Sequence, residues 1–183
     1  GSLILDDSFS ATVPSTLAAL DAVATFPRPR LVILGEVGGH RPPTAEAISR
    51  LGAQVATVAD AIVAVGDVAD AIARAAQIAG LNAEQIATAH RPAEAAARAS
   101  RFVSGGGSVT DPGATPTIGA TPNIGTSWTI LVKGNARARL ESVAARLLDD
   151  PNAAPDLLVR QDRGARRVVH TGRDRPAWLE IDL

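Results

Sequence analysis

Several ionisable or hydroxyl side chains in this sequence stand where an apolar run stops, which is where a parallel sheet delivers its strand ends. Asp6, Asp7, Ser8, Ser10 and Thr12 follow the first run, Glu36 follows residues 31–34, Asp67 follows 61–65, and Lys133 with Gly134 and Asn135 follows 128–132. Carboxylates at such ends can order a magnesium-bound or ribose-bearing ligand, and an ammonium at the same edge can neutralise phosphate or a developing oxyanion. The stretch LILDDSFSATVPS at residues 3–15 is the densest of these: a strand runs into two carboxylates, then hydroxyls, then a helix start. A strand end facing a helix N-terminus is where α/β proteins hold phosphates. Each group also has a structural reading. Thr12 caps the helix, Asp7 or Ser8 ends the strand, Glu36 anchors a loop, and Asp67 caps the helix that follows it. Lys133 is the hardest to reduce in this way, because a lysine after a buried apolar run and before a glycine must place its charge at the sheet edge. His40 and His90 read as loop histidines, with no partner that would make either a general base.

The elements that must hold these groups follow from hydrophobic period. Short β-branched runs at 3–6, 31–34, 61–65, 86–89 and 128–132 alternate with helical patterns at 14–26, 68–79, 92–103 and 136–148. A further helix carries Ile48, Leu51, Val55 and Val58. That alternation predicts βαβ units, hence an α/β, Rossmann-like three-layer domain with a mostly parallel sheet. Gly80 is placed as a helix C-cap, and Pro92 sits at a favoured first-turn position. The Gly, Pro, Thr and Ser-rich stretch at 104–127 is expected to be a loop or insertion in a domain spanning 3–150, and the alternating pattern at 151–183 a small β-appendage. Six arginines of that appendage are largely offset by acidic neighbours, which favours a solvated hairpin over an anion-binding arm. Gly1 and Ser2 read as a cloning scar, and the chain is expected to belong to a longer protein.

Composition narrows the function classes. Eighteen basic and nineteen acidic side chains give a net charge of -1, without the basic excess of a general nucleic-acid binder. The absence of cysteine and the wide separation of three histidines argue against a zinc site, so no metal ligands are assigned. No apolar run is long enough for a membrane-spanning helix, and a cytoplasmic location is expected. Neither G-x-x-x-x-G-K-[ST] nor a G-x-G-x-x-G following a strand occurs, so the chain lacks the usual means of holding a triphosphate alone.

The segments ILDDSFSATVPST, VILGEV, AIVAVG and TILVKGNARARLESV occur in that order. Together they resemble the C-terminal domain of Mur ligases, closest to the branch that adds D-alanyl-D-alanine to a UDP-linked muramyl tripeptide. In that branch the first motif reads D-D-S-Y-N-A-N-x-x-S, the second V-L-G-D-M and the last V-K-G-S-R-x-x-x-M-E. Asp6, Asp7, Ser8, Ala11 and Ser15 match the first, with Phe9 for Tyr and with Ser10 and Thr12 in place of two asparagines. Glu36 replaces Asp in the second motif. Lys133, Gly134 and Glu141 match the last, with Asn135 for Ser. The resemblance covers residues 3–148 and implies a lid domain of an ATP-dependent amide ligase, inactive when isolated. Its own N-terminal and central domains would hold the UDP-sugar, ATP and Mg2+. It implies nucleotide contacts at Asp7, Ser8, Ser10 and Thr12, substrate contacts at Lys133, Gly134 and Asn135, and a catalytic role for Lys133. The hydroxyls at Ser10 and Thr12 are shorter than carboxamides, so nucleotide affinity or substrate choice is expected to differ.

Two rivals belong to other classes. A Mur-like domain that has lost catalysis and serves as a scaffold is compatible with the changes at Ser10 and Thr12. A receiver-type phosphoacceptor also has paired aspartates after its first strand, a lysine after its fifth and a phosphorylatable aspartate after its third, where Asp67 stands.

Overall fold

Runs of Leu, Ile and Val too short for helices and buried on both sides make the centre of the protein, and helices cover the two faces they expose. The computed structural model describes residues 2–38, 42–104, 127–154 and 158. In chain order the elements are β1 (Leu3–Asp7), α1 (Val13–Val23), β2 (Arg30–Leu34), α2 (Ala45–Val58), β3 (Ala61–Val65), α3 (Ala69–Ile78), β4 (Ile86–Ala89), α4 (Pro92–Val103), β5 (Thr129–Lys133) and α5 (Glu141–Leu147). Short 3-10 turns lie at Ala83–Gln85 and Pro151–Ala153. The five strands form one sheet in the order β1-β5-β2-β3-β4, and every pairing is parallel.

Helix placement follows from the direction in which the sheet is built. From β1 to β4 the chain advances one way across the sheet, so right-handed crossovers put α1, α2 and α3 on one face; the return from β4 to β5 puts α4 on the other. The period-2 alternation of β2 divides its side chains accordingly. Val32 and Leu34 join a core with Leu20, Leu51, Val55 and Ile72, while Leu31 and Ile33 join a second core with Ala95, Phe102 and Val143. These two cores are the two interfaces of the expected three-layer α/β domain. On the first face α2 and α3 approach closely at Gly52, where an added Cβ would lie 2.4 Å from the Ala75 Cβ.

Local chemistry sets the element ends. Thr12 caps α1 as expected: its Oγ1 accepts from the Ser15 amide at 3.2 Å, and Ser15 Oγ accepts from the Thr12 amide at 2.9 Å. Gly80 follows α3 at φ 110°, a conformation that favours glycine. Two expectations are corrected. Asp67 does not cap α3, whose cap position is Val68 and has no side-chain hydrogen bond. The helix predicted from 136 begins only at Glu141. Asn135 Oδ1 accepts the amides of Arg137 at 3.0 Å and Ala138 at 3.1 Å, and Arg139 takes a left-handed φ of 52°. An asparagine that bonds the amides two and three residues on closes a turn there, and a left-handed residue cannot continue a helix. Apart from its ends, the stretch at 104–127 lies outside the described residues. So do most of 151–183 and His40. Leu158 packs against the second core, and Ser2 Oγ accepts the Trp128 amide at 3.1 Å.

Strand order also removes the receiver rival. The receiver arrangement places β1 beside β2 and β3 in the order 2-1-3-4-5. Here β5 separates β1 from β2, and Asp67 stands beyond β3, three strand spacings or about 14 Å across the sheet from β1. An aspartate so placed is not beside the Asp6-Asp7 pair.

Candidate functional site

In an open parallel sheet a ligand crevice forms at the carboxyl edge, where neighbouring strands send their connections to opposite faces. β5 is that strand. It leads into α5 on the second face, while β1 and β2, its neighbours on either side, lead into helices on the first. The carboxyl end of β5 is Lys133, in register with Asp7 of β1 and Leu34 of β2.

Period-2 geometry turns Asp7 and Lys133 to the same side of the sheet. Lys133 Nζ donates to Asp7 Oδ2 at 2.6 Å and to the backbone carbonyl of Ser10. The ammonium is enclosed. Lys133 is 1% exposed and is the largest fully buried side chain among the described residues, whereas the Asp7 side chain remains 49% exposed. The cation expected at the sheet edge is therefore there, but its donors point inward to this chain's own loop. Asp6 takes the opposite face. Its Oδ1 accepts the Ser8 amide at 3.2 Å, its Oδ2 is buried without a partner, and it lines a cavity of about 540 Å³ with Leu3, Ile4, Val103, Ile130 and Leu147. The two adjacent carboxylates thus do not form one pair.

The remaining predicted residues divide in the same way. Ser8 is buried at the strand end, and Ser10 is exposed and contributes its carbonyl. The Thr12 hydroxyl is engaged in the cap of α1. Gly38 N donates to the Ala11 carbonyl at 2.7 Å, which ties the loop after β2 to the loop after β1. Asn135 meets Glu36 twice, through its amide to the Glu36 carbonyl and through Nδ2 to Oε2, both at 3.3 Å. Glu36 therefore anchors a loop, as expected. Gly66, at φ 92°, would bring a Cβ to 3.1 Å from the Glu36 Cγ, so the loop after β3 is also packed against it. Asp67 is exposed and not part of this set. His90 lies exposed between β4 and α4, and its amide donates to Glu94 Oε2 at 3.1 Å.

Several contributors were not singled out from sequence. Leu140 is fully buried beneath the edge, and a Cβ on either Gly35 or Gly134 would come within 2.8 Å of its Cδ1. The glycines that follow β2 and β5 let the start of α5 close under the rim. Their signal was available, since Gly35 directly follows an apolar run and Gly134 follows the lysine that ends one. Glu141, matched by motif, is buried with Oε1 2.6 Å from Arg139 Nε, an ion pair without hydrogen-bond alignment. No sequence pattern announced the Ser10 carbonyl, because any residue supplies one.

A family model described as Mur ligase, glutamate ligase domain matches residues 1–110. The chain belongs to this family. β5 and Lys133 lie beyond the matched span, so their assignment rests on the sheet. No curated protein matches the sequence. Among solved structures, this Mur ligase domain is similar to two crystal structures of MurF from Acinetobacter baumannii. The first has 21% identity and a TM-score of 0.61 over 80% of this chain, and the second 22% and 0.60 over 81%. It is also similar to a MurF ligase from Thermotoga maritima in complex with ADP, at 15% identity and TM-score 0.51 over 84% of this chain. At these identities the likeness is one of fold. The chain spans 28–29% of the length of each of these structures. Among the described residues of the Mur ligase domain, no three His, Cys, Asp or Glu side chains cluster to hold a metal, and no helix is long and apolar enough to cross a membrane.

Proposed function

We propose that this Mur ligase domain is the lid of a longer ATP-dependent ligase that forms an amide bond in peptidoglycan precursor synthesis. A UDP-linked muramyl peptide carboxylate would be joined to an incoming amino acid or D-alanyl-D-alanine-type dipeptide, in the cytoplasm. The observation that carries the reading is the rim at the carboxyl end of β5. There the motif loop after β1 and the glycine turn after β5 lie side by side, joined by Lys133. ATP, when bound, supplies the phosphoryl group that activates the substrate carboxylate.

The residues of this chain fit one part of such a nucleotide. Asp7 offers a half-exposed carboxylate, which accepts hydroxyl hydrogens of a ribose and repels phosphate. Ser10 is exposed on the same loop, which Ser8 and Thr12 shape through their amides to Asp6 Oδ1 and Ser15 Oγ. The triphosphate and Mg2+ are assigned to a central domain with its own phosphate loop, since this sequence has none. In this proposal the turn after β5 stands beside the incoming substrate, with Asn135 half-buried, Gly134 buried against Leu140 and Lys133 behind them supporting the rim. Closure of the domain excludes water that would otherwise hydrolyse the activated carboxylate.

Phosphate release by the longer protein tests the proposal, with a UDP-muramyl peptide and a panel of amino acids and dipeptides. Release is expected only when ATP, the carboxylate and an amine are all present. Binding of the muramyl peptide with no ATP turnover under any amine would favour the scaffold reading instead.

A further inference from the structure

The chain contains seventeen arginines and a single lysine, Lys133. Among the described residues that one lysine is also the most deeply buried charged side chain, at 1% exposure, while the arginines at positions 28, 91 and 101 stand exposed. An ammonium is a compact charge with three donors on a flexible stem, and a guanidinium is a wide planar fork. Here Asp7 Oδ2 and the Ser10 carbonyl converge on one such compact charge, at the end of a side chain only 2% exposed. Two of the three donors are taken by this chain, and a side chain 2% exposed presents almost no surface to a ligand.

We propose that Lys133 is a positioning residue that reaches a ligand only through Asp7 and the Ser10 carbonyl, its ammonium never touching substrate. One contact fixes the Asp7 carboxylate so that its other oxygen faces outward. The second pins the turn at Ser10, three residues further along the same loop. Because Lys133 ends β5 and the loop follows β1, the pair ties the nucleotide-facing loop to the strand on which Gly134 and Asn135 follow. This role for Lys133 rests on the lid reading where it concerns nucleotide. The clamp itself does not.

The lone lysine makes the test direct. In the 183-residue chain, reductive methylation can modify only the N-terminal amine and Lys133 Nζ. The N-terminus is expected to label in the native protein, and Lys133 only after denaturation. Labelling of both at similar rates in the folded chain would overturn the proposal. Amide exchange across residues 8–12 is expected to speed in Lys133→Met and to a lesser degree in Asp7→Asn, which keeps the Ser10 contact, with the double variant no faster than Lys133→Met. Protection in β2 and β3 reports that each variant is folded. Unchanged exchange at 8–12 in the folded Asp7→Asn protein would also overturn the clamp. In the longer ligase, Lys133→Met is expected to raise the nucleotide KM about tenfold and to lower kcat less than about threefold. A hundredfold or so fall in kcat at constant KM would instead put the ammonium at the reacting centre. A parent with no ATP-dependent activity defeats the lid reading and leaves the labelling and exchange results to decide the clamp.

Discussion

Removing one or the other member of the Asp7–Lys133 pair has unequal consequences, because the two ends differ in hydration. Asp7→Ala leaves an ammonium at 1% exposure with the Ser10 carbonyl as its remaining partner. A buried charge stripped of its counterion costs about 3 kcal/mol or more. Lys133→Met leaves a carboxylate that is already half in water and rehydrates, with one carbonyl losing a donor, a loss of about 1 kcal/mol. Urea denaturation is therefore expected to rank Asp7→Ala below Lys133→Met by about 2 kcal/mol. Equal or reversed stabilities would show that the ammonium is hydrated in the native protein. At this scale residue type and position were legible: a carboxylate and a lysine at strand ends were picked from the sequence. Which atoms they meet was not, since Asp6 and Asp7 are neighbours in sequence and only the pleat sends them to opposite faces.

Individual elements are stabilised by local bonds that respond to pH. α4 begins without a side chain cap on its own N-cap residue, Arg91. Glu94 takes over the task, accepting the His90 amide through Oε2 and Arg98 Nη2 through Oε1 at 2.7 Å. The Arg98 hydrogen bond first, and the His90 amide second, hold the Glu94 carboxyl below the usual glutamate range. A lowered native pKa means that this contribution is fully present above the unfolded pKa and is lost as pH falls through the native one. Acidification is thus expected to loosen the first turn of α4. Carboxyl NMR should give Glu94 a lower titration midpoint in the folded chain than in an unfolded peptide of the same sequence, rising in Arg98→Ala. A midpoint unmoved by that substitution would remove the cause named. The helices and strands were read from period to within a few residues. The exception, 136–148, failed because Asn135 and Arg139 break the helix by side-chain competition and backbone sign, neither of which alters the apolar spacing.

At the scale of the whole molecule the described sheet is completed by the last of its described strands. Among the described residues β5 is the only neighbour of β1, and it also pairs with β2. A chain ending at residue 104 would keep nearly all of the span that identifies the family, yet leave β1 with no partner and β2 with an open edge. Such a truncation is expected to lose cooperative unfolding and amide dispersion. A well-dispersed NMR spectrum from residues 1–104 would show that β1 can pair directly with β2. The same geometry explains why the site is assembled late: Lys133 arrives with β5, 126 residues after Asp7.

By itself the sequence determined the layered α/β class, the strands, most helix spans and the strand ends where chemistry can stand. Those depend on local period and on glycine, proline and capping chemistry, which a linear reading contains. The strand order, the exclusion of Asp67 and the enclosure of the lone lysine were decided only by tertiary structure. They depend on which strand returns to the middle of the sheet, and that is settled by pairing between residues 99 and 126 positions apart.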